Sequence, residues 1–206
     1  MNEIEFSSQV KMKPWIGINY FSSKIKMLIL GESLYDVKAT KNSIIKQVQG
    51  IREETWTWAY FTKIKNVFNL ESDTYTNSVE KESFWNSVCY YEYLTHAMHE
   101  AKEKVPAEYW EEAKEPFIEV VEKLKPTVVV CIGFDTFNHL PQFGEEHGTI
   151  KISGIDDELY VWKYNARIKS GKITKPVYVC KIRHPSAPGF TNENWFKLFR
   201  KFLKTL

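Results

Sequence analysis

Cysteine is scarce in this sequence: Cys89, Cys131 and Cys180 lie far apart, with no CxxC pair. That spacing excludes a disulfide framework and any zinc or iron–sulfur site built from neighbouring cysteines; three inert thiols in a reducing compartment are expected instead. An excess of one charge is also missing. Against 28 Lys and Arg stand 26 Asp and Glu, a net charge of +2, so a nucleic-acid-binding face must come from uneven placement of charge. No stretch approaches 18 apolar residues, and the opening MNEIEFSSQVKMK holds no apolar signal core. The expectation is a cytoplasmic protein with no membrane association. There is no Gly-rich phosphate loop of the Walker or dinucleotide type, which leaves a flavodoxin-like nucleotide-binding domain without support. Internal repeats, low-complexity tracts and linkers are absent too.

Aromatic residues, by contrast, are plentiful: 7 Trp, 11 Tyr and 13 Phe, or 15% of the chain. Much of this supply must fill a core, and some of it suits stacking on bases or sugars. At 206 residues the chain is long enough for one domain with a sizeable interior and short for two. Residues 1–206 are therefore read as one domain, with 1–24 an N-terminal extension and 192–206 a C-terminal amphipathic helix.

Three apolar runs look like buried strands: KMLILG at 26–31, TVVVCIG at 127–133 and VYVCKI at 177–182, the first two ending in Gly. FWNSVCYYEYL at 84–94 is aromatic and reads as a further strand running into a loop. ELYVWKY suggests a β-ribbon within the polar stretch 145–175, and the polar residues 71–81 suggest a surface loop. Helical spacing appears across 40–70, and 107–125 predicts one helix stopped by Pro126. FDTFNHL starts another helix, with Asp135 or Thr136 near its N-cap. NENWFKLFRKFLKTL places Trp195, Leu198, Phe199 and Phe202 on one face. Strands alternating with helices predict an α/β fold: a three-layer α/β/α sandwich with a mainly parallel central sheet.

Ligands of such sheets sit outside the C-terminal ends of the strands. At those ends stand GESLYD (31–36), the FWNSV region (84–88) and RHPSAPGF (183–190). Their order, each directly after an apolar run and with TVVVCIG between them, resembles the uracil-DNA glycosylase superfamily over about residues 26–204. The resemblance implies that fold, a Gly-led first loop carrying an acid or amide, a later strand bringing an Asn that reads the base, and a late HPS loop. It implies a monofunctional DNA glycosylase acting on single- or double-stranded DNA as a monomer, without metal or other cofactor. The first loop departs from the family in having Leu34 where a Pro is usual, and the cysteines of the iron–sulfur branch are missing. The segment 36–83 has no counterpart, which leaves room for a larger pocket and a base other than uracil.

Breaking an N-glycosidic bond puts positive charge on the sugar and negative charge on the leaving base. A carboxylate beside the sugar stabilises the first and aims a water, the role that fits Glu32. A neutral donor against the base oxygen stabilises the second, the role that fits His184. Excision from a duplex also requires the base to be flipped into a pocket. Asn86 is the candidate reader, because an amide both donates to a pyrimidine carbonyl and accepts from the ring N–H. Tyr35 stands where the family's uracil enzymes crowd position 5 of the ring. Trp56 and Trp58 are candidate stacking residues, with core packing as the alternative. Ser33 and Ser186 are candidate DNA contacts, Ser186 as a phosphate ligand, and Pro188 or Phe190 is the candidate apolar wedge.

Each residue also has a plainer role: a helix-capping carboxylate for Glu32, a turn histidine for His184, a turn amide for Asn86. Lys197, Arg200, Lys201 and Lys204 on the last helix can meet phosphates or only solvent. Glu92, His96, His99 and Glu100 fall at helical spacing and form a rival metal constellation. The alternative to an enzyme is a non-catalytic module that binds DNA or another partner on the same fold.

Overall fold

The uninterrupted apolar runs of the sequence become neighbouring strands of one sheet. The computed structural model describes residues 4–36, 38–56, 58–69, 78–100, 103–142, 144–165 and 175–206. In chain order, β1 (Trp15–Ile16) and a 3-10 turn (Tyr20–Ser22) precede β2 (Met27–Gly31), α1 (Ser43–Arg52), α2 (Ala59–Phe68), α3 (Ser78–Ser87) and β3 (Cys89–Glu92). There follow α4 (Ala107–Glu112), α5 (Lys114–Leu124), β4 (Val128–Ile132) and α6 (Phe134–Asn138). The described chain finishes with β5 (Glu145–Ile150), β6 (Leu159–Tyr164), β7 (Val177–Ile182) and α7 (Asn192–Leu203). The strands join in the order β1-β3-β2-β4-β7-β6-β5. β3, β2, β4 and β7 run parallel, while β1, β6 and β5 add antiparallel edges. The fold class is α/β.

The burial pattern follows from that order. Every residue of β4 is buried, as are Leu28, Ile29 and Leu30 of β2, so both faces of the central strands are covered. Continuous apolar sequence is what such strands require. Each fully buried aliphatic side chain contributes about 1.5–3 kcal/mol. β6 lies nearer the edge, and its burial is broken at Tyr160, Trp162 and Lys163. Helix α7 covers the β5–β6 side and packs against α2, with Trp195, Leu198, Phe199 and Phe202 turned inward as their spacing predicts. Lys125 closes α5 in the left-handed conformation (φ 49°) just before Pro126.

Three expectations need correction. The helix read across 107–125 is two, divided at Ala113, because Pro116 has no N–H to offer the carbonyl of Glu112. Residues 84–87 are not strand: they finish α3, and the strand begins only at Cys89. Phe84 and Trp85 are helical core residues there, packed edge-to-face. The segment 93–100 is not helical, so Glu92, His96, His99 and Glu100 lack the shared face that helical spacing promised. Among the described residues no group of three or more His, Cys, Asp and Glu gathers as a metal site. Of the expected surface loop at 71–81, residues 71–77 lie outside the described residues, and 78–81 open α3. Residues 166–174 of the stretch 145–175 also lie outside them. No described helix is long and apolar enough to cross a membrane.

Strand register fixes the site. Gly31 pairs with Glu92, Leu30 with Cys131, and Ile132 with Ile182. The C-terminal ends of β2, β3, β4 and β7 are therefore level. The loops that leave them at Glu32, Tyr93, Gly133 and Arg183 start side by side.

Candidate active site

A cavity of about 1580 Å³ opens over these strand ends. Its wall includes Glu32, Tyr35, Trp56, Trp58, Tyr60, Tyr90, Glu92, Asp135, His139 and His184. Small-molecule pockets commonly measure about 300–1,000 Å³, so this one has space for more than an unmodified base. The two candidate catalytic residues, 152 positions apart in sequence (184 − 32), share its wall.

Glu32 follows β2 directly. Burial raises its carboxyl above the usual range, Asp135 adds to the rise, and His139 and hydrogen bonding with Tyr35 pull it back. The Tyr35 phenol is pushed up to about 12, by burial first and then by Glu32 and Glu92, so it keeps its proton. Tyr35 is 45% exposed on the cavity rim.

His184 leaves β7 in a loop braced from three directions. Its ring stacks on Tyr60 of α2 with centroids 5.3 Å apart. Lys63 donates to the Pro185 carbonyl at 2.8 Å, and Arg183 joins Asp157 and donates to the Pro188 carbonyl. The Ser186 backbone N–H donates to His184 Nδ1 at 3.2 Å, and the Ser186 hydroxyl lies 2.7 Å from the same atom. An Nδ1 that accepts leaves the neutral ring's proton on Nε2. Burial and the nearby Lys63 charge lower the pKa of the imidazole, which favours that neutral form. The loop thus holds an uncharged N–H donor in the cavity wall. Between the two residues, Gly133 at the end of β4 has φ 105°, a conformation open to glycine and strained for other residues.

Trp56 and Trp58 are not core. They are 41% and 48% exposed, line the cavity, and stack on each other with centroids 5.7 Å apart and planes at 16°. Both lie in the connection between α1 and α2. Trp58→Ala is expected to weaken binding of a single-stranded oligonucleotide by about 1–3 kcal/mol, the value of one stacked base. Because the side chain is half exposed, the melting temperature should barely move. Fluorescence titration and thermal melting measure the two effects; unchanged affinity would remove the stacking role.

The remaining sequence-derived candidates fare unevenly. Asn86 precedes β3, so it lies at the far end of the sheet, and β3 alone separates its two ends by about 10 Å. It is buried there, its side-chain oxygen accepting from Arg52 at 3.4 Å and its carbonyl from the Asn19 N–H. It cannot read a base in this cavity. Ser33 is buried, and its hydroxyl donates to the Leu34 and His96 carbonyls, which fixes the loop rather than offering a DNA contact. Phe190 packs against the core under Lys63, which removes it as a wedge. Pro188 is exposed, and Ser186 lines the cavity while engaged with His184. On α7, Lys197 pairs with Glu193 and Lys201 donates to the Lys151 carbonyl, so these two cations are occupied. Arg200 lies over the Phe196 ring. Lys38, Lys46, Lys104 and Arg183 line the cavity instead.

Two residues of the site escaped sequence reasoning. Tyr60 stood in the aromatic segment TWTWAYF, but only the packing of α2 against the HPS loop marks it. Glu92 was visible only as a member of the metal constellation. It ends β3 fully buried, and burial pushes its carboxyl up to about 8, with Glu32 adding to the rise and the Tyr90 hydroxyl opposing it. No protein-family model matches the chain, and no curated protein does.

Proposed function

We propose that the protein is a monofunctional DNA glycosylase on a three-layer α/β/α fold of the uracil-DNA glycosylase type. It would hydrolyse the N-glycosidic bond of a flipped uracil or modified pyrimidine and leave an abasic site. One observation carries the reading: the Glu32 carboxyl and the neutral His184 imidazole share the wall of one roomy cavity at the strand ends.

The chemistry follows from their environments. As the N-glycosidic bond breaks, its electron pair leaves with the base, and the sugar becomes oxocarbenium-like. The carboxylate of Glu32 stabilises that cation and orients a water whose oxygen bonds to the anomeric carbon. The water's proton passes to the carboxylate and finally to the departing base. His184 donates from Nε2 to the base oxygen on which negative charge gathers. A preorganised donor of this kind contributes about 3–4 kcal/mol. Trp56 and Trp58 supply a stacking surface, and Lys38, Lys46 and Lys104 supply cations for the phosphate backbone.

The cavity volume favours a pyrimidine carrying a bulky substituent over uracil itself, which suits defence against DNA with modified bases as well as repair. The test is a panel of single- and double-stranded oligonucleotides, each with one uracil, hydroxymethylated or glycosylated pyrimidine, treated with alkali to break abasic sites. Strand breaks at one or more of these bases are expected, with the greatest yield on a bulky one. Tight binding with no break on any of them would make the protein a DNA-binding module instead.

A further inference from the structure

Glu92 is the most enclosed carboxyl in the cavity wall, and the mechanism above leaves it unused. Two contacts fix its carboxyl. The Tyr90 hydroxyl donates to Oε1 at 2.7 Å. Oε2 lies across Gly31 of the adjoining strand, where a Cβ would stand only 2.1 Å from it. Any side chain at position 31 would evict the carboxyl, so the glycine that ends β2 makes the space that Glu92 fills. Tyr60 from α2 continues the chain of hydroxyls to Tyr90, and Glu32 and Tyr35 face the carboxyl from the loop after β2. His184 lies in the same cavity wall. No cation is among the groups that shift Glu92.

These surroundings give the acid a defined polarity. A carboxyl pushed up to about 8 keeps its proton at neutral pH. Tyr90 occupies Oε1 as donor, so the proton sits on Oε2. Among the described residues the Tyr90 contact is the one hydrogen bond made to the Glu92 carboxyl. A buried acid O–H without an internal acceptor, in the wall of a cavity, calls for an acceptor on whatever enters.

We propose that Glu92 reads the pairing edge of the flipped pyrimidine, its Oε2–H donating to a ring nitrogen or carbonyl oxygen and its Oε1 accepting the adjacent N–H. This rests on the cavity being a base pocket. The neutral acid offers one donor beside one acceptor, the complement of a uracil-type or cytosine-type edge. The role that the sequence suggested for Asn86 thus falls to a residue six positions later, at the C-terminal end of β3.

Calorimetric binding of free uracil and free cytosine, measured well below and well above pH 8, tests the assignment. Wild type should bind more weakly as pH rises through about 8, where Glu92 ionises. Glu92→Gln, which keeps a donor and an acceptor without titrating, should hold its affinity and reveals any titration of the base itself. Glu92→Leu should lose about 10- to 100-fold at both pH values while staying folded by thermal melting. Three results would each overturn the proposal: equal pH dependence in wild type and Glu92→Gln, wild-type affinity in Glu92→Leu, or no binding of either base to wild type. The two readings fail separately. Base binding of the expected kind with every oligonucleotide intact keeps Glu92 as reader and ends the glycosylase, whereas excision untouched by Glu92→Leu does the reverse.

Discussion

Glu32→Gln and His184→Ala are each expected to slow base release by about 100- to 1,000-fold, the usual cost of removing one preorganised electrostatic group. Glu32→Gln keeps the shape of the side chain and removes the charge that the oxocarbenium-like sugar requires. Its carboxyl is already raised by burial and by Asp135, so replacement by a neutral amide should leave the fold intact or slightly more stable. His184→Ala removes the Nε2–H donor together with the ring that stacks on Tyr60. The loop itself should persist, because Lys63 and Arg183 hold it through the Pro185 and Pro188 carbonyls. The double variant should be little worse than the poorer single one, since residues acting on one transition state are strongly non-additive. Single-turnover formation of abasic sites measures the rate, and circular dichroism guards against unfolding. Full activity in both single variants would overthrow the mechanism.

Trp85→Ala is expected to cost about 3–5 kcal/mol of stability, the range for emptying a buried large aromatic site. For a chain of this length that corresponds to roughly 6–20 °C in melting temperature, at about 2–4 °C per kcal/mol. Trp85 is fully buried between Phe61, Phe84 and Tyr90, with ring centroids 5.6, 5.0 and 6.1 Å away. Its carbonyl accepts the Trp15 indole N–H at 2.8 Å, tying β1 to the end of α3. Its own indole N–H is buried without a hydrogen-bond partner. Trp85→Phe should therefore lose clearly less than Trp85→Ala, because the smaller ring leaves a smaller void and removes the unsatisfied donor. Calorimetric melting of both variants decides it. Equal losses would mean that the indole's extra bulk contributes nothing to the packing. Phe61 and Tyr90 also line the cavity, so loosening this cluster should reach the site and lower activity at temperatures where the chain still folds.

The strands and the two catalytic candidates were legible because their signals are local. A run such as VVVCI is apolar at every position, which only a strand covered on both faces tolerates. Glu32 follows such a run directly and His184 follows one after a single residue, so strand ends located them without knowledge of neighbours. Asn86 was misplaced for the same reason. The aromatic residues Phe84 and Trp85 suit a strand by type, yet the burial of Phe84 against Phe68 and of Trp85 against Phe61 and Tyr90 favours a helical turn, and tertiary packing overrides propensity. A strand that starts at Cys89 and not at Phe84 puts Asn86 at the wrong end of the sheet. The exposure of Trp56 and Trp58 was equally hidden, since large aromatics usually fill cores.

By itself, then, the sequence determined which segments are buried strands, where they end, and which acid and imidazole follow those ends, because hydrophobic runs and turn residues act over a few positions. Only the tertiary structure decided that Glu92 stands beside Glu32 across a paired glycine, that its carboxyl is held protonated, and that two tryptophans face open space. Register, desolvation and the field of neighbouring charges are set by residues tens of positions away, and no local pattern encodes them.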